Sequence, residues 1–422
     1  MSYYHIWTIG CQMNKADSES IAAFLEQCGY RLTSRIDNAD IVVLNSCVVR
    51  QSAESKVANK IDALRRLDAD KVLAVTGCIV ESDLAGLESR FPRVDVFFRP
   101  QDVGRMSEYL QERGFISSNA SVRNIAVRPN ISSLVNIMHG CNNFCSYCIV
   151  PYRRGREVSR PLADIVNEVE SVVERGAREV VLLGQNVDSY GRGLAGSPTL
   201  ADLLEELNRI DGLARIRFLT SHPKDMGEQL IAAIARLDKV CEHLSLPFQS
   251  GDDDILKTMH RGYTNAQYRR LVERIRKAVP DVALSTDVIV GFPGESDEQF
   301  NETRKMIEDV RFDTVHIACY SPRAGTIASR ELKDDVPAFV KVRRRKELEA
   351  LQERIAGEIN SKLEEDVVEV LVEGRKKGKW WGRTRTEKLV FFTDTVDRLG
   401  QLVNVYIEST SPWSLQGTIS SA

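Results

Sequence analysis

The chain has 422 residues, which is too long for one ordinary hydrophobic core and predicts two to four domains. Its composition, 43% hydrophobic and 28% charged, is that of a globular protein, and no apolar run reaches the roughly 20 residues that cross a bilayer. The net charge of -3 excludes a strongly basic surface overall, so any case for nucleic-acid binding has to come from local clusters. Segment 1–11 lacks the basic start and long apolar stretch of a secretion signal, which predicts a cytoplasmic protein without membrane contact.

The cysteine count points to metal or redox chemistry. Nine cysteines are an odd number, and without a secretion signal they argue against a framework of disulfides. In a reducing compartment, clustered thiolates are more typical of metal ligands or catalysts.

The first region, up to about residue 125, alternates short apolar runs with amphipathic stretches. The pattern predicts strands over 5–10, 39–46 and 71–77 and helices over 17–30 and 53–67, with another helix after the third strand. An Asp or Ser N-cap is expected at the start of the first helix. This βαβαβ order predicts an α/β fold with a doubly wound parallel sheet.

One cysteine follows each of these three strands. Cys11, Cys47 and Cys78 are separated by 36 and 31 residues, which matches the length of a βαβ unit. Because the carboxyl ends of parallel strands lie side by side, we expect the three thiols to converge at one sheet edge, where ligands usually bind. The alternative is that they pack as small apolar side chains, which is our interpretation of Cys28 inside the first helix.

The second region, about 130–335, repeats a strand followed by a helix. Strands are predicted over 133–140, 179–185, 215–221, 242–250, 282–294 and 314–321, and helices include 159–176, with Pro161 near its start, and 265–279. Six such units predict a partial, TIM-like parallel barrel whose chemistry lies at the carboxyl ends of its strands.

A cysteine triplet, CNNFCSYC, follows the first of these strands. Cys141, Cys145 and Cys148 have the spacing C-x3-C-x2-C, with no fourth cysteine nearby. A structural zinc site is one alternative, but it needs a fourth ligand, and a nearby strand-end histidine such as His139 is usually a packing residue. An iron–sulfur cube held by three cysteines leaves one iron open to a small molecule. The spacing therefore favours a cluster with one open position.

A charged helix over about 337–363 leads to a third region that predicts a small all-β barrel. Within it, segment 374–388 carries seven Lys or Arg against one Glu, with Trp380 and Trp381 among them. Basic side chains neutralise phosphates and indoles stack on bases, so the segment favours RNA binding, with a solvated β-hairpin as the alternative. A second basic cluster, 152–156, lies beside the cysteine triplet, and the run 341–350 is interpreted as an exposed helix face.

Ordered motifs along nearly the whole chain resemble one family. The C-x3-C-x2-C spacing, with an aromatic residue before the last cysteine, resembles the radical S-adenosylmethionine (SAM) superfamily. The segments GCQMNKADSE (10–19), NSCVVRQSAESK (45–56) and TGC (76–78) resemble the N-terminal domain of methylthiotransferases, and the C-terminal segment resembles a TRAM domain, a small RNA-binding β-barrel. CQMN, VPYxRGRE and GQNVxxYG resemble the tRNA-acting MiaB branch of that family.

The resemblance implies three domains and two clusters. We expect an N-terminal methylthiotransferase domain over 1–125, a radical SAM domain over 130–355 and a TRAM domain over 360–422. Two [4Fe-4S] clusters are implied, each with one open iron: the radical-generating cluster on Cys141, Cys145 and Cys148, and a second cluster, associated with sulfur supply, on Cys11, Cys47 and Cys78.

Contacts with SAM carry over from the same motifs. Gly184, Gln185 and Asn186 stand where many radical SAM enzymes have GGE, and the stretch 287–295 follows the G-x-I-x-G-x-x-G-E pattern with Asp287 in place of the first glycine. The implied cofactor-binding residues are Tyr147, Gly184, Gln185, Asn186, Ser221, Gln249, Arg261, Asp287, Ile289 and Tyr320. Without the resemblance, Arg261 could equally form a surface salt bridge. His222 is expected only at a strand end facing the mouth, and Cys241 and Cys319, which match no ligand position, are expected to pack in the barrel.

The implied substrate is a tRNA anticodon stem-loop. The expected RNA contacts are Arg153, Arg154, Arg156, Lys376, Lys377, Lys379, Trp380, Trp381, Arg383 and Arg385. The implied reaction adds a methylthio group to C2 of N6-isopentenyladenosine next to the anticodon. That C–H bond is neither usefully acidic nor attached to a leaving group, which explains a radical route. The resemblance also implies an electron donor such as flavodoxin or ferredoxin, a supplier of sulfur or clusters, and a monomeric enzyme.

Two other readings are distinct in chemistry. A methylthiotransferase of the same family could act on threonylcarbamoyl-adenosine tRNA or on a ribosomal protein. A noncatalytic RNA-binding protein could use its cysteines for structural zinc, and the iron content of anaerobically purified protein distinguishes that case.

Overall fold

The computed structural model describes residues 1–46, 51–64, 70–80, 84–117 and 130–420. The chain forms two compact units. The first unit comprises Met1–Pro129, His139–Asn142 and Cys148–Glu157, and the second comprises Asn130–Met138, Asn143–Tyr147 and Val158–Ala422. Among the helices described, none has both the length and the apolar composition needed to cross a bilayer.

The first unit is built on a parallel sheet with helices on both faces. Its elements are β1 (Tyr3–Ile9), α1 (Gln12–Gln27), β2 (Arg31–Leu32), β3 (Ile41–Ser46), α2 (Gln51–Ala63), β4 (Val72–Gly77), α3 (Leu84–Arg90), β5 (Val96–Phe97) and α4 (Val103–Glu112). The strand order is β2-β1-β3-β4-β5, and every pairing is parallel. Alternate residues of the buried β3 pack on opposite faces, Val42 and Leu44 against α2 and α3, Ile41 and Val43 against α1 and α4. The predicted doubly wound sheet is confirmed.

The predicted start of the first helix is wrong. Helix α1 begins at Gln12, with Cys11 at the N-cap position and no side-chain capping bond. Asp17 and Ser18, the expected caps, are buried inside the helix. Ser18 Oγ instead accepts a hydrogen bond from Asn45 Nδ2 at 2.8 Å, so its polar group serves a contact with β3 rather than a cap.

Short elements follow the sheet of the first unit along the chain. They are β6 (Ser132–Asn136), β7 (Met138–His139), α5 (Val150–Arg153) and β8 (Val158–Ser159). Of these, β6 is the first strand of the barrel in the second unit.

The second unit contains a partial barrel of parallel strands. The remaining strands are β9 (Glu179–Leu183), β10 (Arg215–Phe218), β11 (His243–Ser245), β12 (Ala283–Val290) and β13 (Thr314–Cys319). The helices are α6 (Leu162–Glu174), α7 (Leu200–Asn208), α8 (Glu228–Arg236), α9 (Asp253–Thr258), α10 (Asn265–Ala278), α11 (Asp297–Val310), α12 (Ile327–Glu331) and α13 (Ala338–Asn360). The strands form two sheets, β6-β9-β10 and β11-β12-β13, joined by an isolated parallel bridge between Ile216 and Val240. The predicted partial barrel and its six strands are confirmed.

A closed five-stranded barrel follows α13. Its strands are β14 (Val367–Lys376), β15 (Lys379–Arg383), β16 (Leu389–Thr393), β17 (Leu402–Thr410) and β18 (Leu415–Ile419), in the order β14-β15-β16-β18-β17. The run WWGRTRTEKLVFF (380–392) forms parts of two of these strands, β15 and β16. Gly382 and Gly417 are needed for closure, since a Cβ would lie 2.0 and 1.9 Å from the carbonyl oxygens of Leu371 and Tyr406. The predicted small β-barrel is confirmed.

Candidate active site

The cysteines of the first unit follow adjacent strands of the sheet. Ile9 of β1 pairs with Ser46 of β3, which pairs with Gly77 of β4, so the three strands end in one row. Cys11 lies just beyond β1, with its Sγ 3.4 Å from Asn14 Oδ1, and the amide of Cys78 donates to the carbonyl oxygen of Ser46 at 2.7 Å. Cys47 lies outside the described residues. The ends of β1 and β4 thus place Cys11 and Cys78 at the same edge, as predicted.

Buried polar contacts lock this edge. Asn14 Nδ2 donates to Asn45 Oδ1 at 3.0 Å, and Asn45 Nδ2 donates to the carbonyl oxygen of Asn14 at 2.7 Å. Gly77 has φ +96°, and a Cβ there would lie 2.2 Å from the carbonyl oxygen of Ser46. The two asparagines therefore hold the start of α1 against the end of β3, and the close approach at Gly77 leaves no space for a larger residue at the end of β4.

Arg154 is also part of this edge. Its Nε lies 3.2 Å from Cys78 Sγ, and its Nη2 lies 2.9 Å from Asp17 Oδ2. Both charged side chains are only 6% exposed. The prediction that Arg154 contacts RNA is wrong for this structure, since its guanidinium is enclosed and already bonded to two groups.

The centre of the C-x3-C-x2-C loop, Asn143–Tyr147, belongs to the second unit and is held within it. Ser146 donates its amide to the carbonyl oxygen of Met259 at 3.0 Å and its hydroxyl to that of Thr258 at 2.7 Å. Phe144 takes a positive φ of 47°, which turns the chain sharply before Cys145. Cys145 is buried and accepts a hydrogen bond from Arg261 Nη1 at 3.4 Å.

Cys141 and Cys148 lie in segments that are part of the first unit, His139–Asn142 and Cys148–Glu157. The amide of Cys141 donates to the carbonyl oxygen of Gly155 at 3.2 Å. A Cβ at Gly140, whose φ is +74°, would lie 2.0 Å from the carbonyl oxygen of Arg156. The residues on both sides of the triplet are therefore packed closely together.

Arg261 is not a surface residue. It is 5% exposed, and besides Cys145 it donates to the carbonyl oxygen of Pro247 at 2.8 Å and to Tyr263 Oη at 3.1 Å. The alternative of a surface salt bridge is therefore excluded. A positive charge beside a thiolate ligand offsets part of the charge that a cluster brings.

Three buried polar atoms near the ends of β9 and β10 have no hydrogen-bond partner among the described residues. They are Gln185 Oε1, Asn186 Oδ1 and His222 Nε2. Burial and the charge of Arg261 lower the pKa of His222 to about 2, so the ring is neutral. Its Nδ1 accepts from the amide of Lys224 at 3.2 Å, which assigns the ring proton to Nε2.

The chemistry of these atoms matches an amino-acid zwitterion. Two acceptors suit an ammonium group and one N–H donor suits a carboxylate, and unsatisfied buried groups of this kind cost about 1–3 kcal/mol each. They therefore indicate a polar ligand. Gln185 and Asn186 are predicted cofactor contacts, whereas His222 is predicted only as a strand-end residue.

Asp188 organises the same end of the barrel and was missed by the sequence analysis. Its carboxylate accepts from Ser221 Oγ at 2.8 Å and from the amide of His222 at 2.9 Å. Burial raises the pKa of Asp188 to about 7. The signal that could have found it is its place in the GQNVxxYG motif, from which only the first three residues entered the prediction. Ser221 is thus oriented by Asp188.

An apolar cluster collects three other predicted residues. Tyr147 and Ile289 pack against a group that includes Tyr320 and Phe292. Tyr147 and Phe292 meet edge to face, with ring centroids 6.5 Å apart, and Phe292 and Tyr320 do so at 5.1 Å. The geometry suits a flat heterocycle lying on Ile289.

The backbone of Gln249 joins this cluster to β12. Its amide donates to the carbonyl oxygen of Asp287 at 2.9 Å, and its carbonyl oxygen accepts from the amide of Ile289 at 3.0 Å. Gln249 has φ 66°, a left-handed conformation that a non-glycine residue adopts at a cost. Gln249, Asp287 and Ile289 are therefore brought together through main-chain contacts, and their contacts with SAM stay a prediction.

The interpretation of 341–350 as an exposed helix face is wrong at two of its charged positions. Lys341 is 6% and Arg344 is 3% exposed. Arg344 Nη1 lies 2.8 Å from Glu295 Oε2, and the same oxygen accepts from the amide of Gly291 at 2.6 Å. The Lys341 side chain lies against Gly291, where a Cβ would be 2.3 Å from Lys341 Cγ. Helix α13 therefore holds the turn that follows β12.

The basic segment of the C-terminal barrel divides into exposed and docked parts. Lys376, Lys377 and Lys379 are exposed, and Lys379 Nζ donates to Gln416 at 3.0 Å. Trp381 is half-buried on the outer face, paired across strands with Phe391. These positions remain available for RNA.

Trp380 does not suit its predicted role, and two arginines of the same segment form ion pairs. Trp380 is 6% exposed in the core of the small barrel, so the prediction that it stacks on a base is wrong. Arg383 Nη1 pairs with Glu373 at 2.8 Å, and Arg385 pairs with Glu242 at 2.7 Å. Both arginines are thus engaged in ion pairs within the second unit, with side chains 34% and 28% exposed, and their contact with RNA stays a prediction. Arg156 is exposed and Arg153 is half-buried.

The three cysteines expected to pack do so without joining either site. Cys241 is buried, Cys319 packs against the core of the partial barrel, and Cys28 packs against the core of the first unit.

Comparisons with known proteins agree with this arrangement. Residues 135–307 match the radical SAM superfamily, residues 3–99 match a family described as uncharacterized, UPF0004, and residues 362–419 match the TRAM domain. The tRNA-2-methylthio-N(6)-dimethylallyladenosine synthase of Dehalococcoides mccartyi (strain CBDB1) is 52% identical, covering 99% of this chain and 99% of that protein. The protein of the same name from Roseiflexus sp. (strain RS-1) is 48% identical, covering 99% and 89%.

Solved structures share the fold. The radical SAM methyltransferase TsrM from Kitasatospora setae, with cobalamin and a [4Fe-4S] cluster bound, matches with a TM-score of 0.57 at 15% identity, covering 78% of this chain and 77% of that one. The partial barrel and its cysteine loop define a radical SAM enzyme. This chain belongs to the family of tRNA-2-methylthio-N(6)-dimethylallyladenosine synthases, the MiaB branch indicated by its motifs.

Proposed function

We propose that this chain adds a methylthio group to C2 of N6-isopentenyladenosine in tRNA, next to the anticodon. The names of its full-length relatives favour this substrate over threonylcarbamoyl-adenosine or a ribosomal protein. The observation that carries the proposal is the set of unsatisfied buried atoms on Gln185, Asn186 and His222, in the same unit as Cys145. The set fits the amino-acid end of SAM.

SAM and its cluster supply a radical that can remove hydrogen from an unactivated C–H bond. Cys141, Cys145 and Cys148 would hold the cluster, and Arg261 donates to the sulfur of Cys145. Ile289, Tyr147 and Tyr320 supply an apolar surface for adenine. Gly184 is closely packed at the end of β9, since a Cβ there would lie 2.6 Å from Met138 Cγ.

A second [4Fe-4S] cluster on Cys11, Cys47 and Cys78 completes the proposal. Its support is the common row in which β1, β3 and β4 end. It would take part in supplying the sulfur that replaces hydrogen at C2 and that carries the methyl group. A separate electron donor, such as flavodoxin or ferredoxin, and a supplier of sulfur or clusters would be partners of this cytoplasmic, monomeric enzyme.

For the tRNA anticodon stem-loop, the support is the exposed basic hairpin of the TRAM barrel. Lys376, Lys377 and Lys379 would neutralise phosphates, and Trp381 offers an indole beside them. Arg153 and Arg156 would add contacts near the cysteine triplet. The division into domains 1–125, 130–355 and 360–422 belongs to the same proposal.

The test is nucleoside mass spectrometry after incubation of the anaerobically reconstituted chain with SAM, a reductant and isopentenylated tRNA. A methylthio gain on that adenosine is expected, and Cys145→Ala is the control without SAM cleavage. If SAM is cleaved and the adenosine is unchanged, the substrate assignment is wrong. Retained full activity in Cys11→Ala would contradict the second cluster.

A further inference from the structure

Arg154 follows one cysteine set along the chain and contacts a cysteine of the other. Helix α5 separates it from Cys148, and the segment Cys148–Glu157 belongs to the first unit. From this segment Arg154 reaches Cys78, which follows β4, with Nε to Sγ at 3.2 Å. Arg154 thus links the segment that follows the Cys141–Cys148 loop to Cys78, a cysteine of the other set.

An ion pair alone does not account for this geometry. Asp17 already supplies a negative charge to Arg154, at 2.9 Å. A buried guanidinium needs a partner for its charge, and Asp17 meets that need. The Nε group is nevertheless directed at sulfur, and a thiolate bound to iron is a far better acceptor than a neutral thiol.

We propose that Arg154 is a positioning residue for the cluster of the first unit, which it holds by an N–H to sulfur hydrogen bond at Cys78. The inference rests on the proposed second cluster. Hydrogen bonds to ligand sulfurs and the net charge around a cluster set its reduction potential. Arg154 therefore raises the potential of this cluster, and Asp17 moderates the effect by neutralising part of the guanidinium charge.

The same contact also fixes the position of the segment that follows Cys148. Because Arg154 follows Cys148 by one short helix, its bonds to Cys78 and Asp17 hold that segment against the sheet edge. Loss of Arg154 would loosen the segment as well as change the potential. If the ion pair had only a structural role, substitution of Arg154 or of Asp17 would loosen the segment to the same extent, and neither would change the potential.

The experiment uses the full-length chain, reconstituted anaerobically, with Cys141, Cys145 and Cys148 replaced by Ala so that only the first unit's cluster gives a signal. Its midpoint potential is measured by redox titration followed by electron paramagnetic resonance. Variants in this background are Arg154→Gln, Arg154→Lys and Asp17→Asn. Arg105→Gln is the matched control, since it removes an arginine of the same unit from an exposed pair with Glu88.

Opposite shifts are expected. Arg154→Gln moves the midpoint to more negative values, Arg154→Lys does so less because the charge remains, and Asp17→Asn moves it to more positive values. Arg105→Gln leaves it unchanged. If Arg154→Gln does not retain its iron, the opposite shifts of Arg154→Lys and Asp17→Asn carry the test.

Two results would overturn the inference, and they are distinguishable. Equal potentials in all cluster-containing variants, or shifts of the same sign from the arginine and aspartate substitutions, would leave Arg154 with a structural role only. Absence of about four iron per chain in the background variant itself would remove the second cluster, and with it the basis of the inference.

Discussion

Arg344 and Glu295 form an ion pair that is closed to solvent at both ends. Nη1 of Arg344 lies 2.8 Å from Oε2 of Glu295, and their side chains are 3% and 0% exposed. The same Nη1 lies 3.1 Å from the carbonyl oxygen of Glu295. A cation from the long helix α13 thus fixes the turn after β12, close in sequence to Ile289. Through α13, this turn is linked to the TRAM barrel, since Asn360 donates to the carbonyl oxygen of Ser411 at 2.8 Å.

Arg344→Met should destabilise the second unit. Removing one partner of a buried pair leaves the other charge uncompensated, which costs about 3–5 kcal/mol. Denaturant unfolding measures the loss, and the dissociation constant for SAM should rise because the turn is released. Arg343→Met is the control, since Arg343 is 57% exposed and should cost less than about 1 kcal/mol.

The pH dependence of this loss has a definite sign. Burial raises the pKa of Glu295 to about 7 in the presence of Arg344. Without Arg344 the carboxyl resists ionisation further, so the deficit of Arg344→Met should grow as the pH rises above about 7. A deficit that is constant between pH 6 and 8, or a loss equal to that of Arg343→Met, would contradict the assignment of the pair.

Asp188→Asn should alter the pH dependence of stability. Burial raises the pKa of Asp188 to about 7 from 3.8. The folded chain therefore binds a proton that the unfolded chain has released, and stability falls as the pH rises from about 4 to about 7. The substituted amide cannot titrate, so the parent minus variant difference in unfolding free energy should fall over that window and stay flat above it.

The similar shape of the two side chains makes this a clean comparison. An asparagine can accept from the amide of His222 and donate to Ser221 Oγ, so it can keep both contacts. A difference that rises with pH would show that Asp188 is stabilised in its ionised form and would contradict the prediction. Asp253→Asn is a control on an exposed carboxylate of the same unit.

Trp380 and Trp381 should respond oppositely to alanine substitution. Trp380→Ala removes a core side chain of the small barrel and should cost about 3–5 kcal/mol in stability. Trp381→Ala should leave the fold nearly as stable and weaken binding of an anticodon stem-loop by about 1–3 kcal/mol. Unfolding and fluorescence-anisotropy binding are measured on both. Unchanged RNA affinity in Trp381→Ala would remove its indole from the RNA contacts.

The sequence predicted those features of the fold that depend on local sequence pattern. The strands and the cysteines that follow them could be placed because hydrophobic period and βαβ spacing are properties of short segments. The long-range ion pairs could not be predicted in this way. Arg154 finds Asp17 across 137 residues, Arg344 finds Glu295 across 49, and Arg385 finds Glu242 across 143. In each case the sequence of the basic segment does not indicate whether the arginine is exposed to solvent or paired with a distant carboxylate.

The neighbouring tryptophans illustrate the same limit. Along β15 alternate side chains point to opposite faces, so one of Trp380 and Trp381 had to enter the barrel. Composition could not say which one, because that depends on the register with β16, where Trp380 pairs with Phe392 and Trp381 with Phe391. The helix cap at Asp17 failed for a related reason, since its partner comes from a distant segment.

Arg217 should prove to be the anchor of the turn that follows β15. Its Nε lies 2.8 Å from Glu179 Oε2, both side chains being at most 4% exposed. Its Nη1 and Nη2 donate to the carbonyl oxygens of Arg385 and Thr384 at 2.8 and 2.6 Å. Glu179 is the first residue of β9, so these contacts lie away from the end that carries Gln185 and Ser221.

Arg217→Met should therefore release the turn without changing the cofactor end. Glu179 would lose its buried partner, at a cost of about 3–5 kcal/mol, and amides within 384–388 should exchange hydrogen faster. Arg209→Met, at a position 69% exposed, should change neither quantity. SAM affinity should stay within about twofold, because the turn lies at the opposite end of the strands. Unchanged exchange in 384–388 would mean that the ion pairs Arg385–Glu242 and Lys388–Asp313 hold the turn without Arg217.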